Sequence, residues 1–207
     1  MLVKGFAVCV FAAGAWVAAP VQDGSAKTGA AAGRSTQEFK IDGVHSSIVF
    51  RVTHLGASAF WGRFNKISGS FKVDDAKLGE SFIKIEVPAD SIDTNNAGRD
   101  KHLKSQDFFA VVEYPKVTFA STKVEKTSRG YNITGDLTLR GVKKPVVATA
   151  KHIGTLKMSE RFGLRSGYEA EFTFKRTDFG MKYMSKGEAL GDQVKVIVAV
   201  EGVPAKK

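Results

Sequence analysis

From position 39 onward, apolar and polar residues alternate along short segments of the chain. In the last segment, Val194, Val196, Val198 and Val200 are separated by single residues. Successive side chains of a β-strand point to opposite faces, so this alternation predicts strands with one face toward an apolar interior and one toward water. Six more segments share the pattern, with these inward sets: Ile48, Phe50 and Val52; Ile67, Gly69, Phe71 and Val73; Ile83, Ile85 and Val87; Val117, Phe119 and Ser121; Tyr131, Ile133, Leu137 and Leu139; Ala170, Phe172 and Phe174. The body of the chain is therefore predicted to be all-β.

Residues that favour turns separate these segments. The turn signals are Asp74-Asp75 with Gly79, the segment 128–130, Arg140-Gly141 and the segment 187–191. Many short strands joined by turns are typical of a β-sandwich or a β-barrel. Alternation alone does not distinguish a packed sandwich from a barrel with an internal cavity, because both need one apolar face per strand.

One segment, 95–109, is predicted to be helical. Thr94 or Asn95 would cap its start, and Leu103 and Phe108 follow at loose helical spacing. A short helix at this place could close one end of a barrel.

The first 38 residues have a different character. Residues 1–19 predict a secretory signal peptide, since Lys4 is followed by a 15-residue apolar run, short for a membrane-spanning helix. Pro20 directly after Ala19 disfavours cleavage at that bond, and an uncleaved anchor is the alternative. Residues 20–38, rich in Gly, Ala, Ser and Thr, predict a flexible linker. Residues 39–207 then form one domain.

Charge and motifs exclude several functions. The formal charge of +10 is spread along the chain without an arginine-rich run or zinc-finger spacing, so we expect no nucleic-acid binding. Transient attraction to a membrane surface, or plain solubility, explains the basic balance better. The sole cysteine, Cys9, lies in the predicted signal. The four histidines are far apart, and no nucleophile elbow, phosphate loop or metal motif is present. We expect no catalytic residues, metal or cofactor; a site assembled only in three dimensions is the alternative.

Two features are candidates for the edge of a binding site. The segment 99–103 and the following Asp107, Phe108 and Phe109 combine charges with two aromatic rings. They would form a rim where a ligand head group enters, or a helix whose charges face water while the Phe pair fills the core. His54 continues the inward face of Ile48, Phe50 and Val52, as a polar group at a pocket mouth or an edge histidine with ordinary hydrogen bonds.

In their order along the chain, the segments resemble the YceI-like family, also called polyisoprenoid-binding. The matching pieces are Asp42-Gly43-Val44-His45-Ser46-Ser47-Ile48-Val49-Phe50; Val52-Thr53-His54-Leu55; Gly62-Arg63-Phe64 with Gly69; Ser91-Ile92-Asp93-Thr94; Arg99-Asp100-Lys101-His102-Leu103; 105–109; Tyr114-Pro115; Phe119-Ala120-Ser121-Thr122; Gly135-Asp136-Leu137-Thr138-Leu139-Arg140-Gly141-Val142; Lys144-Pro145-Val146; Asp178-Phe179-Gly180; and Gly191-Asp192-Gln193-Val194. The resemblance covers residues 39–203. Lys143 departs from it, because the family more often has Thr there.

The resemblance implies an extended eight-stranded antiparallel lipocalin-like barrel, with one short helix near one end. It implies a periplasmic or secreted location, no enzyme activity, and an isoprenoid, quinone-like or other long-chain lipid inside the barrel. From the alternation we predict these wall residues: Phe50, Val52, Phe71, Ile85, Phe119, Leu137, Phe172 and Val196. We predict these mouth residues: His54, Arg99, His102, Phe108 and Phe109. Whether the chain forms a homodimer is left open by the sequence. The alternative function is a stress-response structural or interaction domain whose core is filled and holds no ligand.

Overall fold

The alternating segments form antiparallel β-strands in the computed structural model, which describes residues 37–157, 159–186 and 189–206. The strands in these ranges are β1 (Phe39–Ile41), β2 (Ser47–His54), β3 (Ser58–Phe64), β4 (Ser68–Lys72), β5 (Phe82–Pro88), β6 (Ile92–Asp93), β7 (Lys116–Thr127), β8 (Gly130–Leu139), β9 (Val142–Lys157), β10 (Leu164–Lys175) and β11 (Gln193–Pro204). The predicted signal peptide and all of the predicted linker except Gln37 and Glu38 lie outside the described residues.

Eight of the described strands close into a barrel, in the order β1, β4, β5, β7, β8, β9, β10 and β11. The three-residue strand β1 completes the ring, because Phe39 pairs with Phe71 of β4 on one side and with Pro204 of β11 on the other. The opposite half of β11 pairs with β2, which continues into β3 and β6 and extends the sheet. The predicted extended eight-stranded antiparallel barrel is confirmed.

Strand β8 shows how the alternation determines the interior. Tyr131, Ile133, Gly135, Leu137 and Leu139 are buried, and the residues that alternate with them are partly exposed. In β7 the alternation changes phase, because the pairing with β8 shifts between Ser121 and Lys123. Beyond this bulge, Val124 is buried. A bulge inserts one unpaired residue and therefore reverses which residues face inward.

The helical prediction for 95–109 was too long. The α-helix α1 spans Ala97–Leu103, and Asn96 caps it by accepting a hydrogen bond from Arg99 N at 2.9 Å. Asn95 cannot belong to the helix because its φ is 59°, in the left-handed region. The helix ends where Ser105 Oγ donates to His102 O at 2.7 Å, after which the chain turns. Phe108 and Phe109 therefore lie beyond the helix.

Three segments meet at one end of the barrel, which we call the mouth end. They are the turn between β2 and β3, the segment of α1, and the chain that follows β10 through the 3₁₀ turn Arg176–Phe179. Leu55 N of the first segment donates to Ala189 O of the third at 2.9 Å. His102 of α1 contacts Tyr183 of the third segment, with 4.7 Å between ring centroids. Within the described ranges, no helix has the length and apolar character needed to cross a bilayer.

Candidate ligand-binding cavity

A cavity of about 440 Å³ runs along the interior of the barrel. Its size is within the range of pockets that hold small molecules. The lining is mostly aliphatic and aromatic, and it contains all eight predicted wall residues: Phe50, Val52, Phe71, Ile85, Phe119, Leu137, Phe172 and Val196. These residues come from seven different strands. The structure therefore brings the eight predicted wall residues together around one cavity, while their part in ligand binding stays a prediction.

Two of the wall rings lie across glycines of the neighbouring strand. A β-carbon on Gly62 would be 2.3 Å from Cζ of Phe50, and one on Gly135 would be 2.4 Å from Cζ of Phe119. Each ring thus occupies the space that a side chain on the adjacent strand would fill. A ring that lies against the sheet extends less toward the barrel axis, so these glycines help to keep the interior open.

The five predicted mouth residues also line the cavity, at different depths. His54 and Arg99 are exposed, while His102 and Phe109 are half-buried. Phe108 is only 6% exposed and packs beneath the rim in the cluster of Leu137 and Phe179. Arg99 and His102 of this stretch thus edge the cavity while Phe108 fills the core, and the entry of a head group at this rim stays a prediction.

Arg99 provides a fixed positive charge at the mouth. Its Nε donates to Thr94 Oγ1 at 2.8 Å, and its Nη2 donates to Thr94 O at 2.7 Å. The guanidinium carbon lies 4.3 Å from the centroid of the Phe60 ring, within cation–π distance. These contacts hold the group in one orientation at the edge of an apolar space.

A buried arginine, which the sequence did not indicate, organises the third segment of the mouth. Arg176 is 2% exposed and lines the cavity. It donates to four backbone oxygens: Gly191 O at 2.9 Å, Met181 O at 2.6 Å, Tyr183 O at 2.8 Å and Leu190 O at 2.8 Å. Burial lowers the pKa of this guanidinium, and attraction to Asp192 partly opposes that effect. Arg176 thus ties the chain after β10 to the end of the barrel.

Some of the lining residues that we did not predict lie on strands, and others lie outside them. Phe60 and Phe64 lie on β3, where Ser58, Phe60, Gly62 and Phe64 alternate with other residues. The same alternation could therefore have predicted that Phe60 and Phe64 face inward. Arg176, Tyr183 and Met184 lie after β10, outside the strands, where no periodicity marks the residues that turn inward.

Away from the cavity, Asp42, His45 and Glu201 form a group whose ligand atoms all lie within 4.8 Å of one another. His45 Nδ1 is 2.9 Å from Asp42 Oδ2. Arg165 Nη1 is 3.4 Å from the same oxygen, and Arg165 Nε is 3.6 Å from Glu201 Oε1. Both carboxylates therefore already have basic partners, and we describe the group as an ion-pair cluster.

The chain matches the model of the YceI-like domain over residues 39–202. It is 44% identical over 168 residues to a UPF0312 protein of Pseudomonas aeruginosa, in an alignment that covers 80% of this chain and 86% of the relative. A crystal structure of a Campylobacter jejuni YCEI protein superimposes with a TM-score of 0.65 and 30% identity, covering 75% of this chain and 90% of that protein. A polyisoprenoid binding domain from Saccharophagus degradans superimposes with a TM-score of 0.60 and 14% identity, covering 83% of this chain and all of that domain.

Proposed function

Because this chain belongs to the family of YceI-like domain proteins, we propose that it is a non-catalytic carrier of a long-chain isoprenoid or similar amphiphilic lipid. The lipid tail would occupy the barrel interior, and the protein would store or transport it in the periplasm. The binding of polyisoprenoid by the Saccharophagus degradans domain, which has the same fold, supports this ligand class. The predicted signal peptide supports the location.

The observation that carries the proposal is the long apolar cavity within a closed barrel. An isoprenoid tail has no hydrogen-bonding groups, so an apolar lining satisfies it completely. Burying roughly 400 Å² of tail would contribute about 10 kcal/mol before the costs of association and ordering. Those costs remove several kcal/mol, which leaves room for micromolar or tighter binding. A filled-core domain, the alternative function, would leave no such volume.

The polar groups at the mouth end define where the head group of the lipid would lie. Among the described residues that line the cavity, the charged and titratable side chains are those of His54, Arg99, His102 and Arg176, together with tyrosines. No carboxylate belongs to this described set. All four belong to the mouth end. The tail would therefore extend from this end into the apolar interior, with the head group next to the arginine and histidine side chains.

The test is organic-solvent extraction of the protein after export and purification without detergent, followed by mass spectrometry of the extract. We expect about one quinone or polyprenyl molecule per chain. A protein that is empty, and that also fails to bind added isoprenoid, would contradict the proposal and favour an interaction domain. Sedimentation equilibrium of the same preparation tests whether the chain forms a homodimer.

A further inference from the structure

Three large apolar side chains are exposed around the mouth of the cavity. Leu55 is 60% exposed, Tyr183 41% and Met184 43%. They belong to one rim, because Leu55 N donates to Ala189 O at 2.9 Å and Leu190 N donates to Met184 O at 3.2 Å. Tyr183 and Met184 also line the cavity, so the exposed apolar surface is continuous with the apolar interior.

Two of these rim residues occupy backbone positions that disfavour them. Leu55 has a φ of 52° and Met184 a φ of 47°, in the left-handed region where Gly, Asn and Asp are favoured. Their exposed side chains gain little burial to offset that cost. The needs of the fold therefore do not account for large apolar residues here, and such outliers point to a function.

Basic residues lie near the apolar rim residues. Lys182 and Lys186 flank Tyr183 and Met184 along the chain, and Lys101 lies on α1; all three are exposed. Within the described ranges, none of the three ammonium groups forms an ion pair with a carboxylate. Exposed apolar side chains accompanied by exposed lysines match the interface of an anionic bilayer, where the apolar side chains enter the headgroup region and the lysines meet acidic lipids.

We propose that this mouth rim, formed by Leu55, Tyr183 and Met184 with Lys101, Lys182 and Lys186, docks on the surface of an anionic phospholipid bilayer. Docking places the cavity opening against the membrane, and a lipid tail then moves between bilayer and barrel without crossing water. The inference rests on the proposed function for the identity of the cargo, but not for the docking itself.

The experiment is flotation of the full exported chain, without added ligand, with vesicles of phosphatidylglycerol and phosphatidylethanolamine or of phosphatidylcholine alone. We expect flotation with the anionic vesicles only. The variants L55N/M184N and K101Q/K182Q/K186Q should each reduce the bound fraction at least about fivefold, as expected from the loss of one or more interfacial charges or apolar anchors. Because Asn suits a positive φ, L55N/M184N should keep or raise the melting temperature.

Matched control variants change the far end of the barrel and its walls. I153T/L156T removes two exposed apolar side chains of β9, and K151Q/K157Q/K206Q removes three exposed lysines. We expect both to float like the unmodified chain. Equal loss in these controls, or full flotation of both mouth variants, would overturn the proposal. The proposal would also be overturned if L55N/M184N dissociated a dimer while vesicle binding persisted, because the rim would then hold two copies of the chain together.

A separate measurement distinguishes this inference from the proposed function. Isoprenoid binding is measured in the absence of vesicles, with ligand added from a water-miscible solvent. K101Q/K182Q/K186Q, whose three lysines lie outside the cavity lining, should bind isoprenoid with unchanged affinity but acquire it from vesicles more slowly. If the chain floats with anionic vesicles and binds no isoprenoid, the docking stands and the carrier function fails; if it binds isoprenoid and does not float, the docking fails alone.

Discussion

Arg176 explains how a charged side chain can be buried beside an apolar cavity. Its N–H groups meet four backbone oxygens within 3 Å, so the charge is stabilised by peptide dipoles, with Asp192 close enough to contribute attraction. Those oxygens belong to Met181, Tyr183, Leu190 and Gly191, which lie outside the helices and strands, so their backbone groups need partners from elsewhere. One side chain thus supplies the hydrogen bonds that regular structure would supply in a strand.

We expect Arg176→Met to destabilise the protein by about 3 kcal/mol or more, because several buried carbonyl groups lose their donors at once. Urea denaturation measures this loss, and hydrogen exchange should show faster opening of residues 181–191. Arg129→Met, at an exposed turn residue, is the control and should change stability little. An Arg176→Met protein with the urea midpoint of the unmodified chain would show that these hydrogen bonds do not stabilise the mouth.

A second prediction at the residue scale concerns the wall. Leu137→Trp and Phe172→Trp place additional volume in the cavity, so we expect each to weaken isoprenoid binding more than about tenfold, a change of about 1.4 kcal/mol. Thr173→Trp is the matched control, because Thr173 is the exposed neighbour of Phe172 on β10. Fluorescence titration with isoprenoid measures the affinities, and circular dichroism checks the fold. Unchanged binding in both wall variants would contradict the assignment of these residues to the ligand site.

At the scale of the elements, pairs of a glycine and a ring on adjacent strands control the width of the barrel. Phe50 of β2 lies over Gly62 of β3, where the three atoms nearest to a β-carbon would all belong to the Phe50 ring. Phe119 of β7 lies over Gly135 of β8, where a backbone oxygen, Ala120 O, is also within 2.6 Å. A substitution at Gly62 therefore moves the ring and spares the backbone, whereas one at Gly135 strains both.

We expect Gly62→Ala to force the Phe50 ring toward the barrel axis, because the new methyl group would otherwise lie 2.3 Å from Cζ. The cavity becomes narrower, and isoprenoid affinity should fall about tenfold with a modest loss of stability. Gly154→Ala on β9 is the control, since a β-carbon there meets nothing within 4 Å. Equal affinities of the two variants would show that the ring over Gly62 does not limit the ligand space.

The elements also show how far the sequence predicts this molecule. Strands with one strictly apolar face, such as β8, were predicted residue by residue, because every second side chain of such a strand points to the same face and is buried there. The helix was predicted too long, since the positive φ of Asn95 and the turns after Leu103 depend on hydrogen bonds that spacing does not encode. Arg176 was missed because its partners are main-chain oxygens, which leave no pattern in the sequence.

At the scale of the whole molecule, the barrel closes by joining the two ends of the described chain. Only the three residues of β1 connect β4 to β11, through pairs such as Phe39 with Phe71 and with Pro204. Phe39 is buried, and its ring stacks on Phe71 with 5.5 Å between centroids. Directly after β1, Asp42 meets Arg165 of β10, which also contacts Glu201 of β11. The ion-pair cluster thus supports the place where the three-residue strand β1 closes the barrel, which we call the seam.

The stability of this seam should depend on pH through His45 and Asp42. His45 donates a hydrogen bond to the Asp42 carboxylate, which raises the pKa of His45 above 6.5 and lowers the pKa of Asp42 below 3.8. The His45 contribution is therefore complete below about pH 6.5 and is lost as the pH rises through its raised folded-state pKa. The Asp42 contribution is complete above about pH 3.8 and is lost as the pH falls through its lowered folded-state pKa.

Both contributions coexist between about pH 4 and 6.5, so the melting temperature of the unmodified chain should exceed that of His45→Gln most in this window. The difference should shrink as the pH rises through the raised folded-state pKa of His45, above which the imidazole is neutral in both states, and high salt should reduce it because the group is exposed. Thermal unfolding followed by circular dichroism measures it, with His54→Gln at the mouth end as the control. A difference that stays constant from acid to alkaline pH would mean that the cluster supports the seam by packing alone, because no charge on it would then change upon unfolding.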